Sequence, residues 1–329
     1  MRHSRLSGRQ HDGEVTAGPG TGAPLVAVAH GSRDPRAAAT VTELLSVVRA
    51  RAAARSRPGG LDVRAAFLEN WAPSLPQVLG SLPADGTAGG HGGRTAIVVP
   101  LLLTAAYHSK TDIPAQLAAA REAAGQDMGS DELDVRCTDT LGPHPLLTDA
   151  LERRLREAGV RVGRAADRAA TSVVLAAAGS SDPAANATIA DLATAWQRDR
   201  GWQAVVPAYA SAATPTPAQA VGALRRDGAR RVVVATYLLA PGYFADKIRA
   251  STVAAGASAV SAVLGAAPEV ADVILARYAA ASRLEWSPSE TSYAERTVAT
   301  PQLVTCSIRG DHGERILRRV RRAAKDLTR

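Results

Sequence analysis

From Pro24 onward the chain alternates short apolar runs with longer amphipathic stretches. Leu25 to Ala29 is wholly apolar and stops at His30, Gly31, Ser32, Arg33, Asp34 and Pro35, the pattern of a strand, a polar turn and a helix start. A helix is expected from Pro35 to about Arg55, burying Leu44, Leu45, Val47 and Val48, with Arg57 to Gly60 ending it. A strand over residues 61–68 then delivers Glu69, Asn70 and Trp71, a short helix covers 73–82, and a glycine-rich loop over 86–93 holds His91. The apolar run 95–103 suits a central parallel strand despite Pro100, and it delivers Tyr107, His108, Ser109, Lys110, Asp112 and Pro114 to the same edge. A helix over about 113–124, a strand over 133–136, the loop Thr140 to His144 and a helix over 145–158 follow. Strand and helix in alternation predict a parallel sheet with right-handed crossovers.

The pattern then repeats. A strand over 171–177 ends in Ala178, Gly179, Ser180, Ser181, Asp182 and Pro183, so AGSSDP answers HGSRDP at an offset of 148 residues. A helix over 184–198 and a strand over 204–208 follow, and TPTPAQ (214–219) answers APSLPQ (72–77) at an offset of 142. The strand 231–239 matches the central one, with Tyr243 opposite Tyr107 and Phe244 opposite His108. Such a repeat predicts two α/β lobes built alike. The expected divisions are a disordered leader over 1–23, a first lobe over 24–160, a second over 170–281, and a polar and basic extension over 282–329.

Charge changes this picture little. Of the formal +8, eight basic against three acidic residues at 309–329 supply +5 and the leader +1, which leaves +2 for the middle. The body is near neutral, and a helical run of arginines such as the tail is ordinarily solvated, so nucleic-acid binding is not expected. Cys137 and Cys306 are far apart and in no metal-ligand spacing, which points to a reducing compartment and away from a zinc-ribbon or iron–sulfur site. No apolar stretch is long enough to span a membrane and the leader has no secretory pattern, so a soluble, cytoplasmic protein is expected.

The candidate chemistry lies at the ends of the first-lobe strands. A lone histidine there is more often a hydrogen-bonded cap than a ligand. Here His30, Glu69 and His108 end three strands that neighbour one another roughly 5 Å apart, so their side chains can converge. Two imidazoles and a carboxylate suit Fe²⁺, Co²⁺ or Ni²⁺ with positions left open for a substrate, whereas a structural zinc wants four protein ligands. In the second lobe Ala178, Ser211 and Phe244 fall opposite these three, while the framing Gly, Ser, Asp, Pro and Tyr remain. A triad that only capped strands would be expected to leave a copy behind. Asp34, Asp112 and Asp182 are read as turn braces or helix caps and His144 as structural.

HGSRDP at the first strand end, FLEN (67–70) at the second and PLLLTAAYHSKTDIP (100–114) at the third resemble the sirohydrochlorin chelatases, the class II tetrapyrrole chelatases of the long, two-lobed form, over about residues 24–281. The resemblance implies an α/β fold of two tandem flavodoxin-like lobes, each a parallel sheet flanked by helices, around an active cleft. It implies a lyase that inserts Fe²⁺ or Co²⁺ into sirohydrochlorin for sirohaem or cobalamin synthesis, without ATP. His30 and His108 match the family's metal-handling histidines and Glu69 its carboxylate, with roles in metal binding and pyrrole deprotonation. The histidine-rich segment and iron–sulfur cluster of some long-form members have no counterpart here, so no cluster is expected and iron is favoured over cobalt. A polycarboxylate substrate calls for cations at the rim, for which Arg33 and Lys110 are best placed, with Lys247 reaching in from the second lobe. Ser32 is placed to hold a carboxylate in its turn, and Tyr107 to pack on the macrocycle. A monomer is expected. The competing readings are a metal carrier without catalysis and a phosphate-binding enzyme using His30, although no GxxxxGK[ST] motif is present.

Overall fold

The computed structural model describes residues 22–55, 60–83, 94–105, 111–126 and 133–283. The elements are β1 (Leu25–Ala29), α1 (Pro35–Arg55), β2 (Val63–Phe67), α2 (Leu75–Gly80), β3 (Arg94–Pro100), α3 (Ile113–Gln126), β4 (Leu133–Cys137), α4 (Pro145–Glu157), α5 (Ala165–Ala169), β5 (Ser172–Ala177), α6 (Pro183–Arg200), β6 (Ala204–Tyr209), α7 (Pro217–Arg226), β7 (Val232–Tyr237), α8 (Tyr243–Ala254), β8 (Ala259–Val260) and α9 (Pro268–Arg283). They form two four-stranded sheets of order β2-β1-β3-β4 and β6-β5-β7-β8. Every strand pairing is parallel. In this strand order the chain reverses direction across the sheet between β1 and β3, and a crevice opens where their carboxyl ends part.

Period-two alternation makes each strand serve two cores. Leu25, Ala27 and Ala29 of β1 face inward with Ile97 and Val99 of β3, and on the other sheet Val173, Leu175 and Ala177 of β5 face the same way. Val26, Val28, Ala96 and Val98 face outward onto Leu75, Leu79 and Ile113 of α2 and α3. Val174 and Ala176 face outward onto Val221, Leu224 and Ile248 of α7 and α8. The inner side chains of both sheets enclose one continuous core filled from α1, α4, α6 and α9. Strands buried on both faces read as unbroken apolar runs, which is how they appear in the sequence.

The helices between the sheets do not keep to their own lobe. Helix α4 follows β4 in sequence but packs on β7, and α9 follows the second sheet but packs on α1, α4 and β3. Ion pairs lock α9 in place. Asp272 accepts hydrogen bonds from Arg51 and Arg55, each at 2.6 Å, and Glu269 accepts from Arg153 at 2.7 Å. Burial raises the pKa of the Asp272 carboxyl, but the hydrogen bonds and charges of Arg51, with Arg55, outweigh it and hold it below the ordinary value.

The element boundaries differ slightly from the expected ones. The central strand ends at Pro100, because proline offers no N–H to extend the ladder, and Leu101 makes a last bond to the Val28 carbonyl at 2.7 Å before the chain turns into the crevice. The short helix α5 was not expected. Residues 1–21 of the expected leader, the loop holding His91, the stretch from Tyr107 to Lys110 and residues 284–329 of the expected extension, with Cys306, lie outside the described residues, while Ala23 packs on the core and α9 runs to Arg283. Among the described residues no helix is long and apolar enough to cross a membrane.

Candidate active site

A cleft of about 780 Å³ opens at the carboxyl edge of both sheets, within the size range of small-molecule sites. Its floor is apolar, from Ala29, Leu101, Leu103, Ala177 and Leu239, and its rim carries His30, Ser32, Arg33 and Glu69 from the first lobe. Tyr243 and Phe244 supply the facing wall, with ring centroids 5.7 Å apart and exposures of 74% and 37%.

His30 and Glu69 are brought together by backbone. The pairing of β1 with β2 ends at Ala29 and Phe67 and continues through Leu68 N–H to the Ala29 carbonyl and Glu69 N–H to the His30 carbonyl, each 3.0 Å. Gly31 allows this approach: its φ is +92°, and a Cβ there would stand 1.8 Å from the Glu69 carbonyl oxygen. The result sets Glu69 Oε1 3.4 Å from His30 Nδ1, with the two side chains 57% and 36% exposed. His30 Nδ1 also lies 2.8 Å from the Gly31 carbonyl. Both of these Nδ1 neighbours are acceptors, an arrangement that favours the neutral tautomer with its proton on Nδ1. The third member of the expected triad, His108, lies outside the described residues, as do Tyr107 and Lys110.

The second lobe repeats the frame without the chemistry. Ser211 N–H donates to the Ala178 carbonyl at 2.9 Å as Glu69 does to His30, and Gly179 has φ +85° with a Cβ position 2.0 Å from the Ser211 carbonyl oxygen. Asn70 and Ala212 share a left-handed backbone, and Ala72-Pro73 and Thr214-Pro215 are both cis. Ser74 with Gln77 and Thr216 with Gln219 make the same capping box. The 142-residue offset therefore holds through the whole loop, which aligns Glu69 with Ser211. The Ser211 hydroxyl merely closes on the Ala178 carbonyl at 2.9 Å.

The other expected residues divide. Arg33 lines the cleft and is exposed, and no hydrogen bond or ion pair engages it among the described residues. The Ser32 hydroxyl accepts from the Asp34 N–H at 3.1 Å, bracing the turn. Lys247 is not among the residues lining the cleft, and its Nζ donates to the Ala210 carbonyl at 3.0 Å within its own lobe, just past the end of β6. Asp34 and Asp182 do cap their helices, accepting from Arg36 and Ala184 N–H at 2.9 Å, and His144 caps α4 through Nδ1.

Two residues beside the site were not singled out by sequence. Arg36 pairs with Asp34 and, across the mouth of the cleft, with Asp246 in the first turn of α8, both at 2.6 Å. The hydrogen bond to Arg36 holds the Asp34 carboxyl below its ordinary pKa. Tyr237 is buried at the end of β7, and its hydroxyl donates to the Leu103 carbonyl of the first lobe at 3.3 Å, tying the two sides of the cleft floor. Neither partner is near in sequence, so no local pattern announces them.

Two parallel sheets over a shared core, with a cleft lined from both lobes at their carboxyl edges and a His–Glu pair in one of them, define a two-lobed α/β protein of the chelatase type. SirB from Bacillus subtilis, solved with Fe³⁺, has the same fold, with a TM-score of 0.63 over 80% of this chain and 96% of that one at 22% identity. The CbiX family model matches residues 24–158 and 172–281, and the chain belongs to that family. A sirohydrochlorin cobaltochelatase of Priestia megaterium is 25% identical over 221 residues, 67% of this chain and 65% of that protein. A sirohydrochlorin ferrochelatase of the same organism is 29% identical over 184 residues, 56% of this chain and 62% of that protein. The matches thus span somewhat under two thirds of these relatives' lengths.

Proposed function

We propose that this protein inserts a divalent first-row metal into sirohydrochlorin, with Fe²⁺ as the expected ion and Co²⁺ accepted by the same ligands. The observation that carries the reading is the His30–Glu69 pair, 3.4 Å apart at the rim of an apolar cleft and absent from the otherwise parallel second lobe. In this reading residues 24–160 are the working lobe and 170–281 the supporting one. The names of the Priestia relatives support the reaction and both metals.

Metallation replaces two pyrrole protons with one M²⁺, so the site has to present the ion and accept protons. His30 Nε2 is the nitrogen whose lone pair can face an incoming ion, and His108, by its motif, is the second ligand. Glu69 sits on the Nδ1 side of His30, which favours it as the proton acceptor over a direct ligand. The carboxylate at Nδ1–H would also orient the ring and strengthen its donor nitrogen. The apolar floor and the Tyr243–Phe244 wall suit a planar macrocycle whose carboxylates project to the rim, where Arg33 stands. Lys110 and Tyr107 are assigned to the same rim by motif. Neither ATP nor an iron–sulfur cluster enters the scheme, in which a cytoplasmic monomer takes metal and tetrapyrrole from solution.

The test is anaerobic incubation of the full chain with sirohydrochlorin and Fe²⁺ or, separately, Co²⁺, followed by absorbance. Metallation faster than the protein-free control, abolished in His30→Ala and in His108→Ala, is expected. A rate equal to the control overturns the reading, and competition between the two ions decides the metal.

A further inference from the structure

The two lobes hold the turn after their first strand in different ways. In the second lobe Asn186 of α6 closes the turn on itself, its Oδ1 accepting from the Ser180 N–H at 3.0 Å and its Nδ2 donating to the Ser180 carbonyl at 2.6 Å. In the first lobe the position 148 residues earlier is Ala38, which has no group for either bond. The Ser32 carbonyl instead accepts from the indole Nε1–H of Trp71. The backbone N–H of Trp71 donates to the Glu69 carbonyl at 2.8 Å. One residue therefore joins the turn that carries His30 to the loop that carries Glu69.

This link is specific to the lobe with the chemistry. The counterpart of Trp71 at the 142-residue offset is Ala213, whose N–H donates to the Ser211 carbonyl at 2.7 Å in the same backbone shape but whose methyl, packed against the core, has no donor to offer the neighbouring turn. A structural requirement for the loop would be met equally by that alanine. Trp71 is also 39% exposed, so burial of its ring is not what the position secures. Glu69 itself is 57% exposed and follows the loop wherever it goes. Holding the carboxylate at His30 Nδ1 keeps the ring oriented and its Nε2 electron-rich before an ion arrives, which lowers the ordering cost of metal binding.

We propose that Trp71 is a positioning residue that sets the separation of His30 and Glu69 through its bond to the Ser32 carbonyl. The inference rests on the reading of that pair as the metal-handling site. It predicts an effect on metal binding that passes through Glu69, which a merely stabilising tryptophan would not produce.

The experiment is a double-mutant cycle on the full chain, reading Co²⁺ affinity from the visible absorption of the bound ion. Trp71→Phe keeps a ring and loses the donor, and with a hydrogen bond worth about 1 kcal/mol it is expected to weaken Co²⁺ binding about five-fold. In a Glu69→Ala background the same change is expected to alter affinity by less than about two-fold, because the residue being positioned is gone. Equal losses in both backgrounds, or no loss in the parent, overturn the proposal. His30→Ala separates this outcome from failure of the underlying reading. If His30→Ala leaves Co²⁺ affinity unchanged, the metal site itself is wrong and the proposal falls with it; if it weakens binding while Trp71→Phe does not, only the positioning role is refuted.

Discussion

Replacing Gly31 with alanine is expected to pull His30 away from Glu69 while leaving the protein folded. Gly31 has φ +92°, and an L-residue held in the left-handed region costs about 1–2 kcal/mol. Its new Cβ would stand 1.8 Å from the Glu69 carbonyl oxygen and 2.9 Å from the carbonyl carbon, neither of which is the end of a flexible side chain. Opening the closer approach from 1.8 Å to 3.0 Å moves backbone by 1.2 Å. One partner in that displacement carries the imidazole and the other the carboxylate, so the movement falls on their 3.4 Å separation. A misplacement of about 1 Å costs on the order of 100-fold in rate. The second lobe supplies the control, since a Cβ on Gly179 would stand 2.0 Å from the Ser211 carbonyl oxygen at φ +85°. Both variants are expected to lower the melting temperature alike, by about 4–8 °C for about 2 kcal/mol. Only Gly31→Ala should also lose Co²⁺ binding and metallation, by about 100-fold. The reasoning is refuted if folded Gly31→Ala metallates sirohydrochlorin at the parent rate, or if Gly179→Ala loses Co²⁺ affinity to the same degree.

Phe244→Ala is expected to weaken binding of metal-free sirohydrochlorin about ten-fold, measured by absorbance titration, while leaving Co²⁺ affinity unchanged, since it removes wall and no ligand. Asp272→Asn removes the partner of Arg51 and Arg55 on α9 and is expected to cost about 1–2 kcal/mol at neutral pH. Because the folded pKa of Asp272 lies below its unfolded value, that stability is present above the unfolded pKa and is lost as pH falls through the folded one. The difference in melting temperature between parent and variant should therefore shrink as pH falls below about 4. Desolvation pushes the Cys137 thiol up to about 12, so with Cys306 replaced by Ser the native protein should react with a disulfide reagent at pH 8 more slowly than the denatured chain, and equal rates would refute this.

What the sequence determined by itself is what depends on neighbours along the chain. Apolar runs broken by Gly-Ser-x-Asp-Pro turns located β1, β5 and the helices after them, because caps and left-handed glycines act within a few residues. The internal repeat then marked His30 and Glu69 as additions to a shared frame, and the two loops share their left-handed residue, cis proline and backbone hydrogen bonds at that register. Only the tertiary structure decided the rest. That α4 packs on the second sheet and α9 on the first is a matter of which apolar stripe fits which sheet, and local pattern is the same for either choice. Lys247 was offered as a cation reaching in from the second lobe, and its bond to the Ala210 carbonyl could be read only from the fold. The Arg36–Asp246 pair and the Tyr237–Leu103 bond join residues 210 and 134 apart, and the Trp71–Ser32 bond joins two loops 39 apart. Contacts of that range follow from how the sheets meet, and periodicity carries no record of them.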